Sequence, residues 1–528
     1  MALTSLDLLI VALYAGSLLA IALWVSREPK GETKNTEDYF LAGRSLPWWA
    51  IGASLIASNI SAEQIIGQSG QGFAVGIAIA AYEWQAAIVL LVVAKWFLPI
   101  FLKRGIYTMP QYLDQRYGNG VKTLMSVYWI FLYTAVNLTT VLWLGGLAVT
   151  SLTGLPVFYA MIGLAVFAAL YSLYGGLKAV ALTDIIQVVI LIAGGMIITW
   201  LALNQVSGGS GAFAGLSRLF EEMPGHFEMI LDNDHPAYGD LPGIWTILGG
   251  LWVLHFSYWG FNQYIIQRAL GAESLAEAQK GLAFGAFIKL LIPLIVVIPG
   301  IAAVVMANQG VLDGAALAEK SDRTYGELMG FAPTGLRGLV FAALIAAIVS
   351  SLASMMNSIS TIFTMDIYKA RMSERPEKHY VTVGRVAALT AIVIAVFLAQ
   401  PFIGGFESGF QTVQEYSGFI APGVVVVFLF GFFWSRMSTA GAFAVLLGSV
   451  VFNIALKFGM PDVPFILRIW FVTLACMAAG VIASIISSGK TLELNPEHRV
   501  ASFATDTTFN VLSAIIVILL VGTYIALW

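Results

Sequence analysis

The chain has 528 residues, of which 59% are hydrophobic and 11% charged, with a formal net charge of −3. Soluble domains carry about 25% charged residues, so a soluble multi-domain protein is excluded, and the near-neutral balance gives no reason to expect nucleic acid. The apolar residues recur in blocks of about 20, the length of a membrane-spanning helix, and not in the alternating stretches of about 10 that an outer-membrane barrel needs. The fold class this predicts is an all-α polytopic membrane protein.

Fourteen spans are predicted, at 6–25, 46–71, 73–101, 123–151, 155–174, 179–204, 242–262, 276–307, 336–367, 382–402, 407–431, 439–457, 465–487 and 507–527. The first block lacks a basic leader and a small-residue cleavage site, so it reads as a retained helix. With the N-terminus outside, most of the 27 Lys and Arg fall in inside loops, among them Arg27, Lys30, Lys34, Arg268, Lys490 and Arg499. The outside loops then hold Arg218, Lys320, Arg323 and Lys457. This bias places both termini outside. The long outside loops, 205–241 and 308–335, read as solvated connections, with a lid as the alternative. The single cysteine, Cys476, excludes an intrachain disulfide. Of the five histidines, only His255 falls in a predicted span, which argues against haem ligation within the membrane.

Against this apolar background, Ser54–Gly70, "SLIASNISAEQIIGQSG", is anomalous. Ser and Asn compete with the helical ladder for backbone groups, so a helix broken near Ala57–Ser61 is expected. Such breaks expose carbonyls and helix ends at mid-membrane, where transporters bind substrates and ions. A second Gly-punctuated helix, "LPGIWTILGGLWVLHFSYWG", follows five helices later, the spacing of an inverted repeat. Four ionisable residues sit inside predicted spans: Glu63, Glu83, Asp184 and Lys289. Each is costly in lipid and implies a partner or a role. His255, Tyr258, Gln414, Ser350 and Ser351 supply polar groups on other helices. Interhelical glue explains single serines; a shared polar cavity better explains a Glu, a Lys and two Gln together. Sodium prefers neutral oxygens, and the Ala347 carbonyl lies on the same side as Ser350 and Ser351, three and four residues on.

Several longer segments resemble the sodium/solute symporter family, and within it the sodium/glucose cotransporter branch of the bacterial sodium/galactose type. They are "NTEDYFLAGRSLPWWAIGASLIASNISAEQ", "GIYTMPQYL", "YSLYGGLKAV", "PGHFEMILD", "YWGFNQYIIQRAL", "EAQKG", "AAIVSSLASMMNSISTIFTMDIYK" and "VQEYSG". The resemblance implies a leucine-transporter-type fold, with inverted repeats of five helices at 46–204 and 242–431. One helix (6–25) would precede them and three (439–527) would follow. It implies a bacterial inner-membrane symporter working by alternating access, with sodium and a monosaccharide as cargo and no other cofactor.

Carried over by motif, the sugar site would comprise Gln64, Glu83, His255, Lys289 and Gln414. Tyr258 would form the inner gate, and Tyr82 and Phe410 the outer gate. The sodium site would use the backbone oxygens of Ala57, Ile60 and Ala347 with the hydroxyls of Ser350 and Ser351. Asp184 would be a coupling residue. The chain departs from the pattern at Ala86 (a sugar-contacting serine), His255 (an asparagine) and Gln68 (an apolar outer-gate residue), which leaves the sugar open. Ala353 beside Ser354 lacks one of the hydroxyls of two-sodium members, which favours one sodium per sugar. Alternatives are sialic acid, proline, an inositol or a vitamin as cargo, or protons carried on Glu83 or Asp184 as the driving ion. No arginine is among the expected site residues, which favours a neutral polyol. A membrane enzyme is disfavoured because no metal or nucleophile constellation is present. A histidine-kinase-type sensor is disfavoured because no soluble domain follows Trp528.

Overall fold

A computed structural model describes residues 3–25, 35–404, 409–487, 500 and 502–528. They form a bundle of helices joined by short connections. In lipid the backbone must pair with itself, and helices do this within each segment. Ten helices are long and apolar enough to cross a membrane, and the bent pair Gly409–Gly418 and Ala421–Phe433 makes an eleventh. The other three expected spans are also helical. Two are interrupted, into Trp48–Asn59 with Glu63–Gln68 and Ser69–Ala74, and into Ile244–Leu248, Leu251–His255 and Phe256–Phe261. The third, Val157–Leu170, is short. Residues 407 and 408 of one expected span, and Arg27, Lys30, Lys34, Lys490 and Arg499, lie outside the described residues.

The spans expected at 155–174 and 179–204 run on as Val157–Val206, broken only at Gly176, with φ 65° and ψ −165°. A Cβ at Gly176 would lie 2.7 Å from the Tyr39 carbonyl, so a side chain there would meet both backbone strain and a clash. The Leu336–Tyr368 helix is buried along most of its length. The Ser5–Val25 and Thr507–Ala526 helices instead present Leu13, Trp24, Ile518 and Ile525 outward. The interior therefore collects the polar residues, and the perimeter is apolar, as a bilayer requires.

Two expectations change. Arg268, assigned above to an inside loop, is fully buried on the Gln263–Leu270 helix. Its guanidinium reaches Ser54, Ser354 and the Tyr264 carbonyl, so desolvation is offset by hydrogen bonds. The two long loops, 205–241 and 308–335, are also more than solvated connections. The Ser321 carbonyl packs so close to Gly70 that a Cβ there would lie 2.7 Å away. The Met229 N–H donates to the Leu527 carbonyl at 2.9 Å, tying the other loop to the last helix.

Candidate functional site: a polar cavity between two broken helices

The first break falls where the serines and Asn59 were expected to place it. The helix ends at Asn59, and Ile60 turns extended at φ −75°, ψ 95°. The chain then restarts through a reciprocal cap. Ser61 Oγ accepts the Glu63 N–H at 3.1 Å, and Gln64 Oε1 accepts the Ser61 N–H at 3.1 Å. This Ser-Ala-Glu-Gln arrangement is a capping box, a helix-start signature in mid-membrane. It also has a consequence four residues back. The Ser61 N–H that would close the ladder on the Ala57 carbonyl is used by Gln64 instead, which releases that carbonyl.

The second break mirrors the first. Gly249 (φ −105°, ψ −140°) separates two short helices, and Asn262, extended at ψ 123°, ends the π-helical turn Phe256–Phe261. Both interruptions adjoin a π-helical turn, a feature frequent at functional sites. They meet directly: Asn59 Nδ2 donates to the Tyr258 hydroxyl at 3.1 Å.

One cavity lies between them. Its lining includes Gln64, Glu83, His255, Lys289 and Gln414 and also Tyr82, Tyr258 and Phe410, so all eight expected sugar and gate residues converge there. Lys289 is buried and pairs with both Glu83 Oε2 and Asn59 Oδ1. Its ammonium also lies 4.7 Å from the centre of the Trp259 ring. Among the described residues, the only basic side chain lining the cavity, other than His255, is thus already paired with a carboxylate. On one side Tyr82 and Phe410 meet edge-to-face at 5.1 Å. Gly67 makes this possible, because a Cβ there would lie 2.6 Å from Phe410 Cβ. On the other side the Tyr258 hydroxyl is held between Asn59 and Tyr264, the latter at 2.5 Å.

Several polar atoms around the cavity have no partner among the described residues. They are Glu63 Oε1, Gln68 Oε1, Tyr82 Oη, His255 Nε2, Trp129 Nε1 and Asn137 Oδ1. Buried polar atoms are nearly always paired, so a cluster of exceptions lining one cavity marks a place for a polar ligand.

The expected sodium residues lie on the first broken helix, at Ala57 and Ile60, and on the Leu336–Tyr368 helix, at Ala347, Ser350 and Ser351. Ser351 Oγ donates to the Ser58 carbonyl at 3.0 Å, which links the Leu336–Tyr368 helix to the break. Ser350 Oγ donates to Asp184 Oδ1, and Ser54 Oγ donates to Asp184 Oδ2 at 2.6 Å. Ala57, Ile60 and Ala347 are buried at the same junction. Asp184 therefore joins three helices around the candidate ion site.

Asn59, Trp259, Gln68 and Arg268 were missed as site residues. Asn59 stood within the polar stretch but carried no charge to single it out, and Gln68 was read only as a departure at an outer-gate position. Trp259 looked like any core aromatic, and Arg268 looked like a loop cation.

Comparison with known proteins decides the family. Residues 39–449 match the Sodium:solute symporter family. A sodium/glucose cotransporter of Vibrio parahaemolyticus is 48% identical over all of this chain and 99% of its own length. This chain belongs to the sodium:solute symporter family. A mouse sodium/myo-inositol cotransporter 2 is 34% identical over 84% of this chain and 68% of its own length. Among solved structures, a Na+-coupled sialic acid symporter in a substrate-bound outward-open state matches with a TM-score of 0.79. It is 20% identical and covers 92% of this chain and 98% of that one. At that identity the likeness is one of fold, and the fold is the leucine-transporter-like one expected. As a member of the sodium:solute symporter family the chain is a multi-pass membrane transporter and not an enzyme.

Proposed function

We propose that this symporter couples sodium entry to uptake of a neutral monosaccharide of the galactose or glucose class. The observation that carries the reading is the cavity, where several polar atoms stand unpaired while the one lysine is neutralised by Glu83. Such a lining suits a ligand with many hydroxyls and no net charge. An anionic cargo would need a free cation, and a carboxylate would face Glu83 and Glu63. The relative named as a sodium/glucose cotransporter, matched end to end, supports the same class.

The roles follow from chemistry. Glu83 accepts hydroxyl protons, His255 and Gln414 offer neutral hydrogen-bonding groups, and Lys289 fixes Glu83 and donates. Gln64 braces the break through its amide oxygen, so its part in sugar contact falls to its NH₂ group. Tyr258 would cover the sugar from the inside, and Tyr82 with Phe410 from the outside.

Sodium would bind the released Ala57 carbonyl with those of Ile60 and Ala347 and the hydroxyls of Ser350 and Ser351. Both serines donate their protons, to Asp184 and to the Ser58 carbonyl, which leaves oxygen lone pairs for a cation. Binding there would tie the broken helix to the Leu336–Tyr368 helix and so couple ion to sugar. The membrane potential adds about 2.3 kcal/mol per charge per 100 mV. One sodium per sugar is the expected ratio, with Asp184 as the coupling residue. The protein would sit in a bacterial plasma membrane with both termini outside.

The test is uptake of labelled galactose, glucose and myo-inositol into proteoliposomes, with an inward sodium gradient or with potassium in its place. Sodium-dependent hexose uptake, lost in Gln414→Ala and needing several-fold more sodium in Ser351→Ala, is the expected result. Uptake of myo-inositol alone would overturn the hexose class, and uptake driven by a pH gradient without sodium would overturn the coupling ion.

A further inference from the structure

Gln68 ends the π-helical turn Glu63–Gln68 and is 1% exposed. Its Nε2 donates to Glu83 Oε1 at 2.7 Å. The carboxylate there can only accept, so the amide must present its NH₂ group to Glu83, and its orientation is chemically determined. The amide oxygen then points away from Glu83. It is buried and has no partner among the described residues, and Gln68 lines the same cavity.

Glu83 is held on its other side as well. Oε2 is bound by Lys289, which is itself anchored on Asn59, so the carboxylate is clamped between two partners. The result is a rigid pair of acceptors on one wall of the cavity, Glu83 and the Gln68 carbonyl oxygen, joined by a single hydrogen bond. Two acceptors related in this way match two donors on neighbouring carbons.

We propose that Gln68 is a specificity-determining residue that acts with Glu83 as a clamp for a vicinal diol of the sugar, one hydroxyl donating to Glu83 and the adjacent one to Gln68 Oε1. The inference rests on the hexose reading above and adds a contact that the expected site residues do not include. It also gives a physical reason for a buried glutamine in this wall. An apolar residue there could pack against the sugar but could not tell a hydroxyl from a hydrogen. A site built to pair a hydroxyl rejects the analogue that lacks it, because its own polar atom is left unpaired.

The experiment measures kcat/KM for sodium-driven uptake of the preferred hexose and each of its monodeoxy analogues. It uses the full-length protein in proteoliposomes, for wild type, Gln68→Met and Gln68→Leu. Wild type is expected to discriminate against loss of either of two adjacent hydroxyls by about tenfold or more. In the Gln68 variants the penalty at one of these two positions should disappear, while that at its neighbour, held by Glu83, persists. A purely structural role would lower uptake of every analogue by the same factor, and that result overturns the inference. A wild type that transports hexose yet penalises no adjacent pair also overturns it, without need of any variant, and leaves the hexose reading intact. A wild type that transports no hexose overturns both.

Discussion

Two polar regions lie side by side in this membrane interior, and they differ in how completely they are paired. In the cluster around Asp184, both carboxylate oxygens accept from serines, and Ser54, Ser58, Ser350, Ser351 and Ser354 each make a hydrogen bond. Arg268 closes the network through Ser54 and Ser354. In the neighbouring cavity, Glu63, Gln68, Tyr82 and His255 each keep an unpartnered atom. A satisfied buried network rigidifies the fold, whereas an unsatisfied one costs stability until something binds. Buried polar residues thus do opposite jobs in two parts of one interior. The cluster holds helices in register, and the cavity waits for a ligand.

That contrast can be broken most severely at Lys289, the one place where the cavity wall depends on a complete pair. Lys289→Met leaves Glu83 charged and buried. It should cost about 3–5 kcal/mol and abolish uptake. Thermal unfolding in detergent and proteoliposome uptake would check both. The double variant Lys289→Met/Glu83→Gln should recover much of the stability but none of the transport.

Within the paired cluster the expected effect is on folding as much as on transport. Asp184→Asn keeps one acceptor but loses the other and the attraction of Arg268. A loss of about 1–3 kcal/mol is expected, with a weakened sodium response. Unfolding midpoints measured with and without sodium would show it. Wild-type stability with an unaltered sodium response would mean that the cluster is not the ion-linked part.

Ser351→Ala sharpens the comparison from the other side. It removes one hydrogen bond to the Ser58 carbonyl, worth about 1 kcal/mol. Its larger expected effect is a several-fold rise in the sodium concentration for half-maximal uptake, because it also removes a proposed ligand. A sodium titration of uptake reads this directly.

The smallest effect concerns Asp322, in the 308–335 loop. Its Oδ2 accepts the Gly409 N–H at 3.1 Å, at the start of the helix that carries Phe410 and Gln414. Burial pushes its carboxyl up to about 6, more than the Gly409 hydrogen bond and nearby Lys320 pull it down. Between the ordinary value of about 4 and the folded value of about 6, the folded chain therefore holds a proton that the unfolded chain has released. Its stabilising contribution is present below that window and lost as pH rises through it. Relative to Asp322→Asn, the wild type should lose thermal stability from pH 4 to pH 7; an unchanged difference would refute the shift.

Much of this was legible in the residues because lipid enforces simple rules. Apolar blocks of spanning length marked the long apolar helices, though not short ones such as Met109–Tyr117 and Ala212–Glu222. Ser58, Asn59 and Ser61 in an apolar setting marked the break, and ionisable residues marked the cavity. The capping box at Ser61–Gln64 was legible too, as a Ser followed three residues later by Gln, but a helix-start signal is easily overlooked inside a helix. Arg268 was misplaced for a different reason. Loop-charge statistics treat each cation alone, and nothing in the local sequence "IIQRALG" says that Ser54 and Ser354 lie close to it.

The sequence by itself determined the all-helical class, the family and eight of the residues that line the polar cavity, because hydropathy, spacing and motif length are local properties of the chain. Only the tertiary structure decided which polar atoms are paired and which are left open. Asn59 meets Lys289 across 230 positions and Ser54 meets Asp184 across 130, and such partners exist only once the first broken helix is packed against the Leu275–Asn308 and Val157–Val206 helices. Pairing is a relation between distant segments, and that relation separates the residues that hold this fold from those that face its cargo.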